Sequence, residues 1–344
     1  MLIDKLKKQV DALELDLKGR TVLTEAASGP YIVTPVLAAI AGAKVYAYSK
    51  TTRYGSVEEV FAGTRQLCEG FGDFALDIQY VDSLLPQHIN SADIITNSGH
   101  LRPLNQQMLK HAKDGMVIPL MYEAWEWREA DMDIDYIRQR GFQLVATNER
   151  HPEVDVFNYL GDMALKQIFD AGICPYRNKF ILLCNNDFGP FIAKVLAKVC
   201  AGLAVIGQDE NKSKYALDQV DWIGGFPEFR VPPDYSDAEA IIFTAYPFDS
   251  NWLGHDTPVK AEQIRSAIKD PLILRYCGDL DEKYVTEKSI RFYPAHVHSG
   301  HMGILPSAIG YDPIIRLQSG GLKAGELALK RRTDFKNHKI LDIV

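Results

Sequence analysis

The stretch 21-TVLTEAASGPYIVTPVLAAIAGAKVYAY-48 decides the fold. Residues 21–26 are rich in β-branched and apolar side chains, as a strand requires. Residues 28–31 (SGPY) form a tight loop, and residues 32–41 a helix closed by Gly42. Residues 44–48 (KVYAY) form the next strand. Strand, turn, helix and strand in that order make a βαβ unit, which places both strands parallel in one sheet.

The same order returns in 179-KFILLCNNDFGPFIAKVLAKVCAGLAVIG-207. Gly29-Pro30-Tyr31-Ile32 matches Gly189-Pro190-Phe191-Ile192, and the helix-closing Gly42 and Gly202 each lie 13 residues beyond the first glycine. Between and beyond them Val36 faces Leu196, Ala41 faces Ala201 and Val45 faces Val205 without a gap. An ungapped block with a shared element order predicts an internal duplication.

Outward from these blocks, strands are expected at 75–81, 92–97, 116–121 and 142–146, with helices at 57–69, 104–112 and 132–140. In the second half, strands are expected at 239–244, 272–276 and 289–293. The predicted class is therefore α/β: two tandem doubly wound Rossmann-like parallel-sheet domains joined by a long helix. Residues 1–152 form the first domain and 176–306 the second. Residues 153–175 are the linker helix: Pro152 suits its first turn, Phe157, Leu160, Ala164 and Ile168 share one face, and Gly172 and Pro175 stop it. Residues 307–344 are expected to pack back on the first domain, as a helix that starts at Asp312-Pro313 and breaks at Gly320-Gly321, then a surface tail.

Composition narrows the partners. The 344 residues carry a net charge of −7, which disfavours nucleic acid and anionic membrane surfaces. Leu2, Leu6, Val10, Leu13 and Leu17 mark an amphipathic N-terminal helix whose lysines and aspartates exclude a signal peptide. The uncharged run 26–43 is punctuated by Gly29, Pro30, Pro35 and Gly42, unlike a membrane span. Cys68, Cys174, Cys184, Cys200 and Cys277 are odd in number and include no CxxC pair, so free thiols and a cytoplasmic location are expected. The expected partner is a small-molecule substrate; a homodimer stays open.

In such sheets ligands sit beyond the C-terminal ends of the strands, with phosphate at the first strand–helix turn. Neither copy has the full G-x-G-x-x-G fingerprint. The first offers Ser28 and Gly29 among small residues; the second offers Asn185, Asp187 and Gly189. About 20 residues on, an acid would accept ribose hydroxyls, as in NAD sites, and a cation would hold a 2′-phosphate, as in NADP sites. The first copy has Ser49, Lys50, Thr51 and Arg53 there, the second Asp209. The donor-rich turn Asn97-Ser98-Gly99-His100-Leu101-Arg102 would contact a nicotinamide ribose or substrate, with His100 and Arg102 holding an anionic group. Tyr122-Glu123-Ala124-Trp125-Glu126-Trp127 reads as a pocket wall or an interface.

Histidines crowd at His296, His298 and His301 after the last strand of the second copy. His298 or His301 would handle a proton, with Glu149 at the matching end of the first copy fixing a tautomer. Arg291 is a further candidate substrate anchor. No paired cysteine or second His-x-His supports a metal there.

The layout resembles the two-domain NAD(P)-dependent dehydrogenases of the D-2-hydroxyacid, alanine and S-adenosylhomocysteine-hydrolase types. In position, His298 or His301 is similar to the acid/base histidine of the hydroxyacid enzymes. The resemblance implies NADP or NAD as cofactor, usually held by the second domain. It also implies an oxidoreductase acting on a small polar or anionic metabolite in a cleft between the domains. A two-Rossmann transferase using a nucleotide-activated donor, glycosyltransferase-like, and a non-catalytic nucleotide-binding protein remain alternatives.

Overall fold

The computed structural model describes residues 1–72, 75–330 and 340–344. The chain opens with α1 (Leu2–Ala12), β1 (Thr21–Glu25), a 3₁₀ turn (Gly29–Ile32), α2 (Val33–Ile40), β2 (Lys44–Tyr48), α3 (Val57–Glu69) and β3 (Ile78–Val81). It continues with α4 (Pro86–Ser91), β4 (Ile94–Ile95), α5 (Gln106–Leu109), β5 (Val117–Pro119), α6 (Ile134–Gln139) and β6 (Gln143–Thr147). Then follow α7 (Leu160–Asp170), β7 (Lys179–Cys184), α8 (Phe188–Leu196), β8 (Gly202–Gly207), β9 (Val220–Trp222) and β10 (Ala240–Thr244). After these come β11 (Asn251–Leu253), α9 (Ala261–Ala267), β12 (Leu272–Cys277), β13 (Asp279–Leu280), α10 (Glu282–Glu287), β14 (Arg291–Tyr293), α11 (Tyr311–Leu329) and β15 (Leu341–Ile343).

Two compact units result. Unit 1 comprises Met1–Val156 and Gly310–Val344, and unit 2 comprises Phe157–Ile309. Each is built on a parallel sheet in which strands 3-2-1-4-5-6 lie side by side. The order is β3-β2-β1-β4-β5-β6 in unit 1 and β9-β8-β7-β10-β12-β14 in unit 2. Unit 1 extends its sheet with β15, antiparallel to β6 through Leu341↔Thr147 and Ile343↔Val145. The end of the expected surface tail is thus a sheet edge, while its residues 331–339 lie outside the described residues. Unit 2 adds a two-stranded sheet, β11 with β13, that the sequence pattern did not indicate.

Burial explains the strand composition. Val22 and Leu23, and Phe180 through Leu183, are fully buried with neighbours on opposite faces, as sheets covered by helices on both sides require. Several helices start at side-chain caps. Ser56 and Glu59 make a reciprocal capping box on α3, and Asn105, Asp133 and Asp281 cap α5, α6 and α10.

Two expectations need correction. The expected linker helix is the shorter α7, and it belongs to unit 2, where Gly161 lets it lie against Val195 and the Phe191 carbonyl of α8. The expected break at Gly320-Gly321 is absent, because α11 runs unbroken from Tyr311 to Leu329. Its glycines serve close approach instead: a Cβ at Gly320 would stand 2.9 Å from Thr147 and Val154, and one at Gly321 would stand 2.6 Å from the Met121 sulfur. Packing outweighs the roughly 1 kcal/mol helix penalty of each glycine. The buried Lys323 and Glu326 of α11 pair at 2.9 Å, and Lys323 also donates to the Glu14 carbonyl at 2.8 Å.

Candidate functional site

In unit 1 the C-terminal tips of β1, β4, β5 and β6 gather polar groups from segments far apart in sequence. Glu25 ends β1, is 7% exposed, and accepts the His100 backbone N–H at 3.0 Å. Beyond β4, Thr96 donates to Thr24 Oγ1 at 2.8 Å and also meets the Ser98 hydroxyl, a buried chain of three hydroxyls. Beyond β5, Met121 takes φ = 68°, a left-handed conformation strained for this side chain, and aims the turn that carries Tyr122, Glu123 and Glu126. Glu149 follows β6.

These acids form one hydrogen-bonded group. Glu123 accepts the Glu149 backbone N–H at 3.2 Å and the Trp125 indole N–H, and Arg150 lies 3.5 Å from its carboxylate. Glu126 accepts the Glu123 backbone N–H at 3.2 Å, and its carboxyl acts electrostatically on that of Glu149. Like charges so placed resist ionising together. Burial first, then the charges of neighbouring acids, pushes Glu126 up to about 7 and Glu149 well above the usual carboxylate range. Tyr31, in the turn after β1, is pushed up to about 12 by burial and next by Glu25; Arg102, Glu149 and Glu126 also act on it. The turn after β1 and the carboxyl group are therefore electrostatic neighbours.

Structure and expectation part at Arg102. Its Nε donates to Asn97 Oδ1 at 3.0 Å, one terminal nitrogen donates to the Asn97 carbonyl at 2.9 Å, and the other lies 3.5 Å from Asp131. Asn97 in turn donates to the Tyr122 hydroxyl at 2.7 Å. Arg102 and Asn97 thus lock the β4 and β5 tips together, and the guanidinium is spent on the protein rather than held for a substrate anion. The His100 ring lies 3.3 Å from the hydroxyl of the fully buried Ser49, which links the β2 and β4 tips. Gly99 passes close to Glu25, whose carboxylate would stand 3.3 Å from an added Cβ.

The phosphate seats of the two units differ. In unit 1 the N–H groups of Ala27, Ser28 and Gly29 meet no protein acceptor among the described residues. Gly29 has φ = 61° with open space where a Cβ would be. Lys50, Thr51 and Arg53 are exposed past the β2 tip, with Arg53 stacked on Tyr54 at 4.8 Å. Such a turn fits a dinucleotide phosphate. In unit 2 the N–H groups of Asn186 and Phe188 are engaged. Asn186 Oδ1 accepts the Phe188 N–H at 3.1 Å, the Asn186 N–H points at Cys184 Sγ at 3.4 Å, the Gly189 N–H also serves that sulfur, and Pro190 has none. Asn185 is tied to Tyr246 by two 2.8 Å bonds, and Asp187 pairs with Lys214 at 3.0 Å. This turn does not fit a pyrophosphate. Asp209 is exposed and lies against Gly224.

The expected histidines and the acids belong to different units: His296, His298 and His301 are exposed on unit 2, whereas Glu149 is in unit 1. Asp279 holds the histidine loop by accepting the Ser299 hydroxyl at 2.5 Å and the Gly300 N–H at 3.2 Å. His298 and His301 face each other with ring centroids 5.9 Å apart. Arg291 is not a substrate anchor: it pairs in register with Leu272, at the strand starts and opposite the binding tips, and binds Asp270 at 2.9 Å. The residues not singled out from sequence as acid/base groups are Glu25, Glu123, Glu126 and Tyr31. The one signal for the three glutamates was their position at or just beyond strands β1 and β5, matching Glu149 beyond β6; Tyr31 had none.

The fold is that of the two-domain dehydrogenases, with two doubly wound units of identical strand order and a first unit completed by the C-terminal helix. Among solved structures the chain is similar to a dipicolinate synthase from Bacillus halodurans, with a TM-score of 0.54 and 10% identity over 88% of this chain and 99% of that one. It is similar to a dipicolinate synthase from Bacillus subtilis, with a TM-score of 0.53 and 12% identity over 94% and 99%. A D-lactate dehydrogenase from Treponema pallidum gives a TM-score of 0.51 and 10% identity over 91% and 97%. At these identities the likeness is one of fold. No family model and no curated protein matches the chain, and among the described residues no helix is long and apolar enough to cross a membrane.

Proposed function

We propose that the chain is an NAD(P)-dependent oxidoreductase acting on a small polar metabolite, with its proton chemistry in unit 1. The observation that carries this reading is the group of Glu123, Glu126 and Glu149, tied together by the Glu123 and Glu149 backbone N–H groups, in the same unit as a turn whose N–H groups are unengaged. A bound nicotinamide nucleotide would supply hydride transfer. The N–H groups of Ala27, Ser28 and Gly29 would hold its phosphates, and Lys50 and Arg53 suit a 2′-phosphate, so NADP is favoured over NAD.

The carboxyl pair then supplies what hydride transfer to a carbonyl or imine needs, a proton for the atom that gains electrons. An acid with its pKa near 7 can both give that proton and take it back in the reverse direction. Tyr31 stays protonated across the same pH range. Arg102 is occupied, and acids line the site, so a neutral or cationic polar group is a better substrate end than a carboxylate.

A thermal melt of the full chain with NADPH, NADH, UDP and GDP tests the reading. Stabilisation by NADPH, growing with concentration, is the expected result. A shift with UDP or GDP and none with NADPH or NADH would turn the reading to a transferase with a nucleotide-activated donor. No shift with either nicotinamide nucleotide would end the oxidoreductase reading.

A further inference from the structure

The sequence 184-CNNDFG-189 has the spacing of G-x-G-x-x-G with Cys184 and Asn186 where the first two glycines belong, and Gly189 at the third. That third glycine serves close packing, but its neighbour is unusual for a ligand site. A Cβ there would stand 2.0 Å from the Tyr215 hydroxyl and 2.6 Å from Cys184 Sγ. Tyr215 comes from the 3₁₀ segment Asp209–Tyr215 past the β8 tip, is 4% exposed, and brings its hydroxyl to the same side of Gly189 as the Cys184 thiol. Its ring lies 5.2 Å from that of Trp222, which in turn covers Gly207, the last residue of β8, at 2.7 Å from a Cβ built there.

An aromatic pair thus fills the ground over the β7 and β8 tips, where a dinucleotide would lay its pyrophosphate and adenosine. Beneath it Asn186, Thr244 and Cys277 close a hydrogen-bonded cluster, with Asn186 Nδ2 3.0 Å from Thr244 Oγ1 and Thr244 Oγ1 3.0 Å from Cys277 Sγ.

We propose that the nucleotide seat of unit 2 is closed by the protein's own Tyr215, Trp222, Asn186 and Cys184, so that any dinucleotide this chain takes binds unit 1 alone. The site half of this inference rests on the oxidoreductase reading, whereas the closure of unit 2 stands on packing and spent donors. It inverts the division of labour implied by the dehydrogenase resemblance, where the second domain holds the cofactor.

Hydrogen–deuterium exchange of the full chain, with and without saturating NADPH, tests it, alongside calorimetric titration of wild type, Gly29→Asp and Asp187→Arg. The expected result is slowed exchange in residues 26–33 and 49–53 and none in 184–190 or 208–222. NADPH affinity should fall at least about 100-fold in Gly29→Asp and change less than about twofold in Asp187→Arg. Slowed exchange at 184–190 and 208–222, or affinity lost or gained tenfold in Asp187→Arg, would overturn the proposal and leave the oxidoreductase reading standing. If NADPH fails to bind while ADP slows exchange at 26–33 only, the oxidoreductase reading falls and the closed seat of unit 2 is supported.

Discussion

After β1 the chain runs Ala26-Ala27-Ser28-Gly29; after β7 it runs Asn185-Asn186-Asp187-Phe188. Both turns lead from the first strand of a 3-2-1-4-5-6 sheet into the next helix. In unit 1 the turn is made of small residues, its glycine faces open space, and its donors are unengaged. In unit 2 the Asn186 side chain takes up the Phe188 N–H and a tyrosine lies against Gly189. A binding turn must leave donors unspent, which costs stability, while a structural turn spends them. On the proposed reading, one topology is kept for binding in one copy and for packing in the other.

The largest expected effect tests the open turn directly. Gly29→Asp places a carboxylate among the donors and should weaken NADPH binding at least about 100-fold by calorimetry, with circular dichroism unchanged. A binding loss of less than threefold would remove the seat from unit 1. The next contrast is in stability. Gly189→Ala drives a methyl into Tyr215 and should cost about 1–3 kcal/mol in urea unfolding. Gly29→Ala meets no atom and carries only the left-handed backbone penalty of about 1 kcal/mol. Equal losses would show that the unit 2 turn is not packed as described.

The carboxyl pair gives a pH signature. Because Glu126 is raised in the folded state to about 7, folding favours its protonated form. The corresponding stability is full below the unfolded value of about 4.3 and is lost as pH rises through about 7. The melting temperature of wild type should therefore fall between about pH 4.5 and 7.5. Glu126→Gln should flatten that slope and melt about 2–4 °C higher at pH 8, while slowing turnover of any substrate about 10²-fold or more. An unchanged slope would mean that the pair is ionised in the fold. The smallest effect belongs to the exposed Asp187–Lys214 pair: Lys214→Ala should change stability by less than about 0.5 kcal/mol, and a larger loss would give that pair a structural weight the comparison denies it.

Much of the fold was legible because its signals are local. Gly42 marked the end of α2 and apolar runs such as Lys179–Cys184 the buried strands, whereas Gly202, expected to close a helix, opens β8, and α8 already ends at Leu196. The site was legible only in part. Glu149, Asn97, His100 and Ser49 were found as strand-tip residues, but nothing in the string showed that Arg102 is spent on Asn97 and Asp131 or that Arg291 sits at the wrong end of its strand. The glycines of α11 misled for a related reason: their helix penalty is local, and the backbone approach that offsets it involves Met121, Thr147 and Val154, remote in sequence.

The sequence by itself determined two parallel doubly wound sheets in tandem, because hydrophobic periodicity, caps and turn glycines act over a few residues. Only the tertiary structure decided that the buried Glu123 and Glu149 and the half-buried Glu126 share one hydrogen-bonded group and that Tyr215 enters the groove of unit 2. Proton affinity and groove occupancy depend on burial and on neighbours brought in from other strands, and those distances are set by packing rather than by spacing along the chain.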